Sequence, residues 1–474
     1  MKIVLADPPC EEDNPFATAF PNIGLLYLAA VIRRQFPGFT IHYLYALYSS
    51  EEHLRCVKAI NPTIYALSFA SPYAAAATRL INDIKQICPT ALAVCGGAHP
   101  TAAPRDVLVS SDVDICCIGE GEETLLEIIN SLLNGEPLGS IAGIAYRTQN
   151  QAVQINVRRP YVSDLSDLPL PAWDLIAPGR YSGCRKSKGK LSMAIVASRG
   201  CLYNCTFCSN PVWRLQRPWF RTRPPADVAA EVEMLYQMGI REIYIRSDEM
   251  NADVEWAISV FDALFHLGHQ DLYFQCNLRA SPVPPELVAS MARAGCWLCH
   301  IGIESSSPRV LKGIKKHITL PEIESALGLL KLHGIKTYGF FMCYQAWEDK
   351  GEPCYESTKE VLQTLRYATS LRLRGLLNYM SWSLATPYPG SELFQISLKH
   401  NLLVPDCDLE SIRLPWDITV RLPGVSKFAM VSARFLGMFV QGSLVLCDRD
   451  SYRLHTVGGN LRHALHKLRR VIRL

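Results

Sequence analysis

Residues Ser198–Pro211 read SRGCLYNCTFCSNP, with Cys201, Cys205 and Cys208 at x3 and x2 spacing directly after the apolar run MAIVA. Three thiolates in one short polar loop suit an iron–sulfur cluster, because such a loop wraps three corners of a cube and leaves one iron open. A structural zinc site calls for a fourth Cys or His at matching spacing. No near neighbour supplies one, and Cys184 becomes a candidate only if the segment before the loop folds back. The run ahead of the trio reads as a strand and the trio as the loop that leaves it.

Outward from that loop, MAIVAS, EIYIRSD, LYFQCNLRA, CHIGIES, KTYGFFMCY and LLNYMSWSLAT read as strands separated by helical periods. Several helical segments end in Gly directly before the next strand, as a helix C-cap should. Six strand–helix units predict a partial (β/α)6 barrel with function on the loops after the strands. The polar residues fall at that end: Arg199, Gly200 and the cysteines, then Asp248, Glu249 and Asn251, then Arg279, then Glu304 and Ser305. An acidic pair beside an arginine suits the ammonium and carboxylate of an amino acid.

Residues 1–135 alternate in the same way, through KIVLAD, TIHYLYAL, PTIYALSF, ALAVCGG and DICCIG. Apolar strands with crossover helices predict a doubly wound parallel sheet whose ligands sit at the carboxyl ends of its strands. The expected α/β organisation is thus a parallel sheet over 1–135, a Pro-, Asp- and Ser-rich connector over 136–190, a partial barrel over 191–400 and a helical cap or tail over 401–474. A chain of 474 residues holds two or three such units. With 49% apolar and 19% charged residues it is not a disordered chain.

A net charge of +4 gives no argument for nucleic acid, and the basic stretch at 453–474 reads as a solvated helix face. MKIVLADPP lacks a signal-peptide pattern. The longest apolar stretch, 430–447, is broken by Arg434 and Gln441, which argues against a membrane span. A cytoplasmic protein with free thiols is expected, so most of the 17 cysteines, Cys296 and Cys299 included, read as packing. His99 reads as a local turn residue.

The trio, with Phe207 before its last cysteine, resembles the radical SAM domain in company with FRTRPPADVAAEV, IRSDEMNADVEWA, CNLRAS, AGCWLCHIGIESSSPRVLKGIKKHIT and PYPGSELF. That resemblance spans residues 191–395. It implies that Cys201, Cys205 and Cys208 bind three irons of a 4Fe–4S cluster and that S-adenosylmethionine (SAM) chelates the fourth. Asp248 and Glu249 would hold the SAM amino group, although Ser247-Asp248-Glu249 stands where the family has Gly-Gly-Glu. Arg279 would meet the carboxylate, Glu304 and Ser305 the ribose region, and Phe207 the adenine. Reductive cleavage of SAM would give a 5′-deoxyadenosyl radical that removes a substrate hydrogen, with an electron donor of flavodoxin or ferredoxin type.

Residues 1–135 resemble the cobalamin-binding domain that precedes many radical SAM domains, on NPTIYALSFASPY, VCGGAHPTAAP and DICCIGEGEETLLEII. The Asp-x-His-x-x-Gly loop of that family is absent, since this chain reads ADPPCEEDNPF, and cobalamin binding stays open at this stage.

Two acidic loops, Glu11-Glu12-Asp13 and Glu348, Asp349 and Glu352, would suit a cationic small molecule such as an amino sugar. In length and altered first loop the chain resembles the diol dehydratases of aminoglycoside biosynthesis. The first expectation is therefore dehydration or deoxygenation of an aminoglycoside intermediate in antibiotic biosynthesis, with a downstream reductase as a further partner. Glu249, Asp13 and Tyr338 are its acid–base candidates. The alternative is a cobalamin-dependent C-methyltransferase.

Overall fold

The structure is a computed structural model that describes residues 1–9, 19–46, 48–184, 186–189, 191–214, 217–404 and 418–443. Its first sheet contains β1 (Lys2–Ala6), β2 (Thr40–Leu44), β3 (Ile64–Ser68), β4 (Leu92–Gly96) and β5 (Ile115–Cys117), parallel throughout, in the order β2-β1-β3-β4-β5. These strands are short, apolar and buried, as strands covered by helices on both faces must be.

The sheet continues beyond residue 135. β6 (Ile144–Arg147) and β7 (Val153–Ile155) extend the β5 edge antiparallel, so the segment expected to be a connector supplies two strands. A tight turn joins them: Thr148 and Ala152 share a backbone hydrogen bond of 2.9 Å, and Gln151 takes φ 61. Neither strand has a long apolar run, which is why the Pro- and Asp-rich composition around them dominated the reading.

The second sheet is six parallel strands: β8 (Ser192–Val196), then, past the short antiparallel pair β9 (Ser198–Gly200) and β10 (Phe220–Thr222), β11 (Glu242–Arg246), β12 (Tyr273–Leu278), β13 (Cys296–Glu304) and β14 (Lys336–Cys343). A hairpin of β15 (Ala346–Asp349) and β16 (Glu352–Tyr355) precedes the last strand, β17 (Tyr379–Leu384). The order β17-β14-β13-β12-β11-β8 is a partial barrel, open between β17 and β8. Left-handed glycines at 295 and 334, φ 90 and 74, turn the chain from helix into β13 and β14. The helix Lys427–Ser443 covers β17, and a Cβ on Gly437 would come within 2.6 Å of the Trp382 ring. No helix among the described residues is long and apolar enough to cross a membrane.

The carboxyl ends of the first sheet face the mouth of the barrel, and a charged brace joins them. Arg199 donates to Glu120 at 2.9 Å and to Glu122 at 2.6 Å, and Arg221 donates to Glu120 at 2.8 Å. Burial raises the pKa of Glu120, but Arg221 and Arg199 outweigh it and hold the carboxyl below its ordinary range. Glu120→Gln leaves Arg221 without a carboxylate, and we expect a loss of about 3 kcal/mol in chemical unfolding. Because the folded pKa is depressed, this contribution is intact above the ordinary glutamate range of about 4.3 and is lost as pH falls below it. The difference between parent and variant should accordingly be flat at neutral pH and vanish in acid.

Candidate cofactor and active site

β8 and β9 deliver the cysteine loop to the mouth of the barrel. Gly200 turns the chain there at φ +89; a Cβ would sit 1.9 Å from the Trp219 carbonyl oxygen. The loop is tied down by Thr206, whose N–H donates to Ile314 O at 3.1 Å and whose carbonyl accepts from Leu393 N at 2.8 Å. Tyr203 N–H points at Cys201 Sγ and Asn210 N–H at Cys208 Sγ, both at 3.4 Å. Burial pushes the Cys201 thiol up to about 12 and the Cys208 thiol up to about 11, against those two donors. Such thiols stay protonated until a metal displaces the proton.

Around the trio stand polar groups with open valences. Cys201 Sγ donates to Glu249 Oε2 at 3.4 Å, while the buried Glu249 Oε1 has no hydrogen-bond partner among the described residues. Burial raises the Glu249 pKa, and Arg279 opposes the rise. The Arg279 guanidinium lies 3.5 Å from the centre of the Tyr203 ring, with Nε and Nη2 buried and unpaired. Its backbone is fixed by Asn251, which donates from Nδ2 to Arg279 O and accepts from Arg279 N, both at 2.9 Å. Asp248 Oδ2 accepts from Gly200 N at 3.2 Å. Glu304, at φ 65, pairs with Lys316 at 3.0 Å, and Lys316 Nζ lies 5.9 Å from the centre of the Phe207 ring. Three thiols in one loop beside an unpaired carboxylate oxygen and an unpaired guanidinium form a donor set that fits a cluster together with an amino-acid ligand.

Other expected residues lie elsewhere. Ser305 is fully buried behind the end of β13, where its hydroxyl donates to Glu356 at 2.9 Å, so it does not open to the mouth. Tyr338 sits inside the barrel beside His300, ring centroids 5.3 Å apart, below the mouth. Cys184 is at the opposite end of the barrel, its N–H bonded to Ser192 Oγ at 2.8 Å, so it cannot complete the trio. Glu348 pairs with Lys399 at 2.7 Å and meets His400 Nε2 at 3.0 Å, which takes one of that loop's three carboxylates out of the expected acidic rim. Glu11, Glu12 and Asp13 lie outside the described residues, as does the basic stretch at 453–474. Cys296 and Cys299 are buried and join Cys276, the three sulfurs within 4.8 Å of one another. His99 lies buried in the short helix Ala98–Ala102, and its Nδ1 meets Ser71 Oγ at 3.0 Å, 28 residues away, in place of the expected local turn bond.

Between the two sheets lies a cavity of about 680 Å³, lined from one side by Asp7, Ser68 and Gly97 and from the other by Ser198, Gly200, Asp248 and Asn277. Gly97 has φ +97, and a Cβ there would come within 2.7 Å of Phe69 O. A large cleft with the Gly96–Gly97 backbone in its sheet-side wall fits a bulky cofactor approaching strand ends. Glu120 and Glu122 of the GEGEE turn after β5 line the cavity at a strand end, where ligands of such sheets sit, whereas Arg246, at the end of β11, carried no such signal in the sequence.

The B12 binding domain family matches residues 15–129 and the Radical SAM superfamily matches residues 195–350. An uncharacterized methyltransferase of Pyrococcus horikoshii is 29% identical over 85% of this chain and 84% of its own length. The cytidylyl-2-hydroxyethylphosphonate methyltransferase of Streptomyces wedmorensis is 25% identical over 89% of this chain and 88% of its own. Among solved structures, the radical S-adenosylmethionine methyltransferase TsrM of Kitasatospora setae, with cobalamin and a [4Fe-4S] cluster bound, superposes with TM-score 0.68 at 17% identity, over 85% of this chain and 76% of that one. The chain is a radical SAM enzyme with an N-terminal B12-binding domain. The cofactors that go with these domains are a 4Fe–4S cluster, SAM and cobalamin. The relatives favour methyl transfer, the alternative reading, over dehydration of an amino sugar.

Proposed function

We propose that this protein is a cobalamin-dependent radical SAM methyltransferase acting on a small molecule. The observation behind this reading is the shared cavity, which sets the strand ends of the B12-binding domain opposite Arg199 and Gly200, where the cysteine loop begins, and Asp248. When bound, the cluster supplies the electron that cleaves SAM and cobalamin supplies a methyl carrier. In this reading Cys201, Cys205 and Cys208 hold the cluster. Glu249, and Asp248 beside it, receive the SAM ammonium, Arg279 faces the SAM carboxylate, and Glu304 and Phe207 border its nucleoside. The Glu120–Arg199 brace ties the two walls of the cavity together. Residues 1–155 form the cofactor-binding unit, and the barrel from 191 to about 400 forms the catalytic unit.

The reconstituted protein, given SAM carrying a trideuterated methyl group and a small-molecule cell extract, should place the label in a new product detected by mass spectrometry. A product lacking water and unlabelled would contradict the proposal and restore dehydration.

A further inference from the structure

Arg246 ends β11 on the lumen face and opens into the interdomain cavity beside Ser247, Asp248 and Asn277. It has no ion-pair partner among the described residues, whereas Arg199 and Arg221, which also line the cavity, are engaged by Glu120 and Glu122. An open guanidinium in a concave wall presents a planar fork that matches a carboxylate or phosphonate oxyanion.

Two residues down the same face, about 7 Å along the strand, Tyr244 begins a wall of rings. Its centroid lies 5.0 Å from that of His300, and its hydroxyl donates to Asn277 at 2.6 Å. His300 stacks on Phe340 at 5.8 Å with the rings 21° apart. Phe340 lies on the inner strand β14 yet is 38% exposed, so this end of the ring wall stays open to a ligand. The wall is uncharged. Gln275 Nε2 donates to Lys186 O and to Glu242, so its Oε1 accepts from His300 Nε2 at 2.9 Å, which fixes the imidazole tautomer. Burial pushes the His300 pKa down to about 4, so the ring is neutral.

We propose that the acceptor substrate is a flat conjugated acid, its ring against the Tyr244–His300–Phe340 wall and its oxyanion on Arg246. A ring face buries the exposed Phe340 without disturbing the stack, and an anion matches the unpaired cation at the top of the wall. The assignment deepens the methyl-transfer reading and rests on it for the role of acceptor.

The test uses the full chain carrying cluster and cobalamin, with binding read by ligand-observed NMR and no turnover required. The probes are 3-phenylpropionate, its neutral amide, phenylphosphonate and 3-cyclohexylpropionate. We expect at least one of the two aromatic anions to bind about tenfold tighter than the amide, the tighter of them naming the oxyanion. The cyclohexyl acid should bind more weakly than 3-phenylpropionate. In Arg246→Gln the advantage of anion over amide should disappear while cobalamin affinity is unchanged. Equal binding of both anions and the amide overturns the proposal. So does an Arg246→Gln variant that keeps the discrimination, or one that loses cobalamin, which would assign the guanidinium to the cofactor. Because binding is measured without turnover, absence of methyl transfer with intact discrimination would count against the proposed function and leave this pocket standing.

Discussion

Cys205→Ala is expected to abolish the 4Fe–4S absorbance after anaerobic reconstitution and to reduce SAM cleavage to background. Cys205 is the buried member of the trio, 8% exposed, with its sulfur 3.7 Å from Lys315 O in the wall of the barrel mouth. Cys201 and Cys208 alone offer two thiolates, too few to hold three irons of a cube. The loop backbone keeps its ties through Thr206 to Ile314 and Leu393, so the fold should hold. Removing one buried sulfur costs roughly 1 kcal/mol in chemical unfolding. Loss of the cluster with a nearly unchanged unfolding midpoint separates ligand loss from misfolding. A variant that reconstitutes normally and cleaves SAM at the parent rate would remove the trio from the chemistry.

Gly97→Val acts on the other wall. At φ +97 a β-branched residue is strained, and the added Cβ meets the Phe69 carbonyl at 2.7 Å and Ser68 Oγ at 3.0 Å. The first of these is backbone and cannot rotate away, so the turn after β4 must move, at a cost of about 2 kcal/mol or more. That turn lines the cavity. Cobalamin affinity measured by equilibrium dialysis should fall by about a hundredfold, which is about 2.7 kcal/mol. The cysteine loop belongs to the barrel, not to this sheet, so the absorbance of a cluster reconstituted there should be unaffected. Loss of both cofactors together would mean that the substitution unfolds the sheet; retention of cobalamin would mean that the cavity is not its site.

Both sheets were legible as alternating apolar runs, because strands buried on two faces carry their burial in consecutive residues. The trio was legible because three cysteines at x3 and x2 spacing fall in one short polar loop. The convergence of Asp248, Glu249, Arg279 and Glu304 followed from one rule, that parallel barrels collect function at one end. What escaped the reading depends on partners distant in the chain. Ser305 is claimed by Glu356, 51 residues on, and Glu348 by Lys399 and His400, also more than 50 residues on. No local pattern foretells either pairing, and the second takes one carboxylate away from the expected acidic rim. Arg246 read as the end of a strand; only the topology shows that its side chain opens into a cavity where the neighbouring arginines are already paired. The β6–β7 hairpin was hidden by short strands in a turn-rich segment.

The most direct measurement of the central claim is the fate of SAM in the anaerobically reconstituted, cobalamin-loaded protein under reducing conditions without substrate. About one equivalent of S-adenosylhomocysteine per chain should form, and only when cobalamin is bound, because the methyl group is accepted within the shared cavity. Cleavage of SAM to 5′-deoxyadenosine alone, with no S-adenosylhomocysteine and no dependence on cobalamin, would contradict the claim.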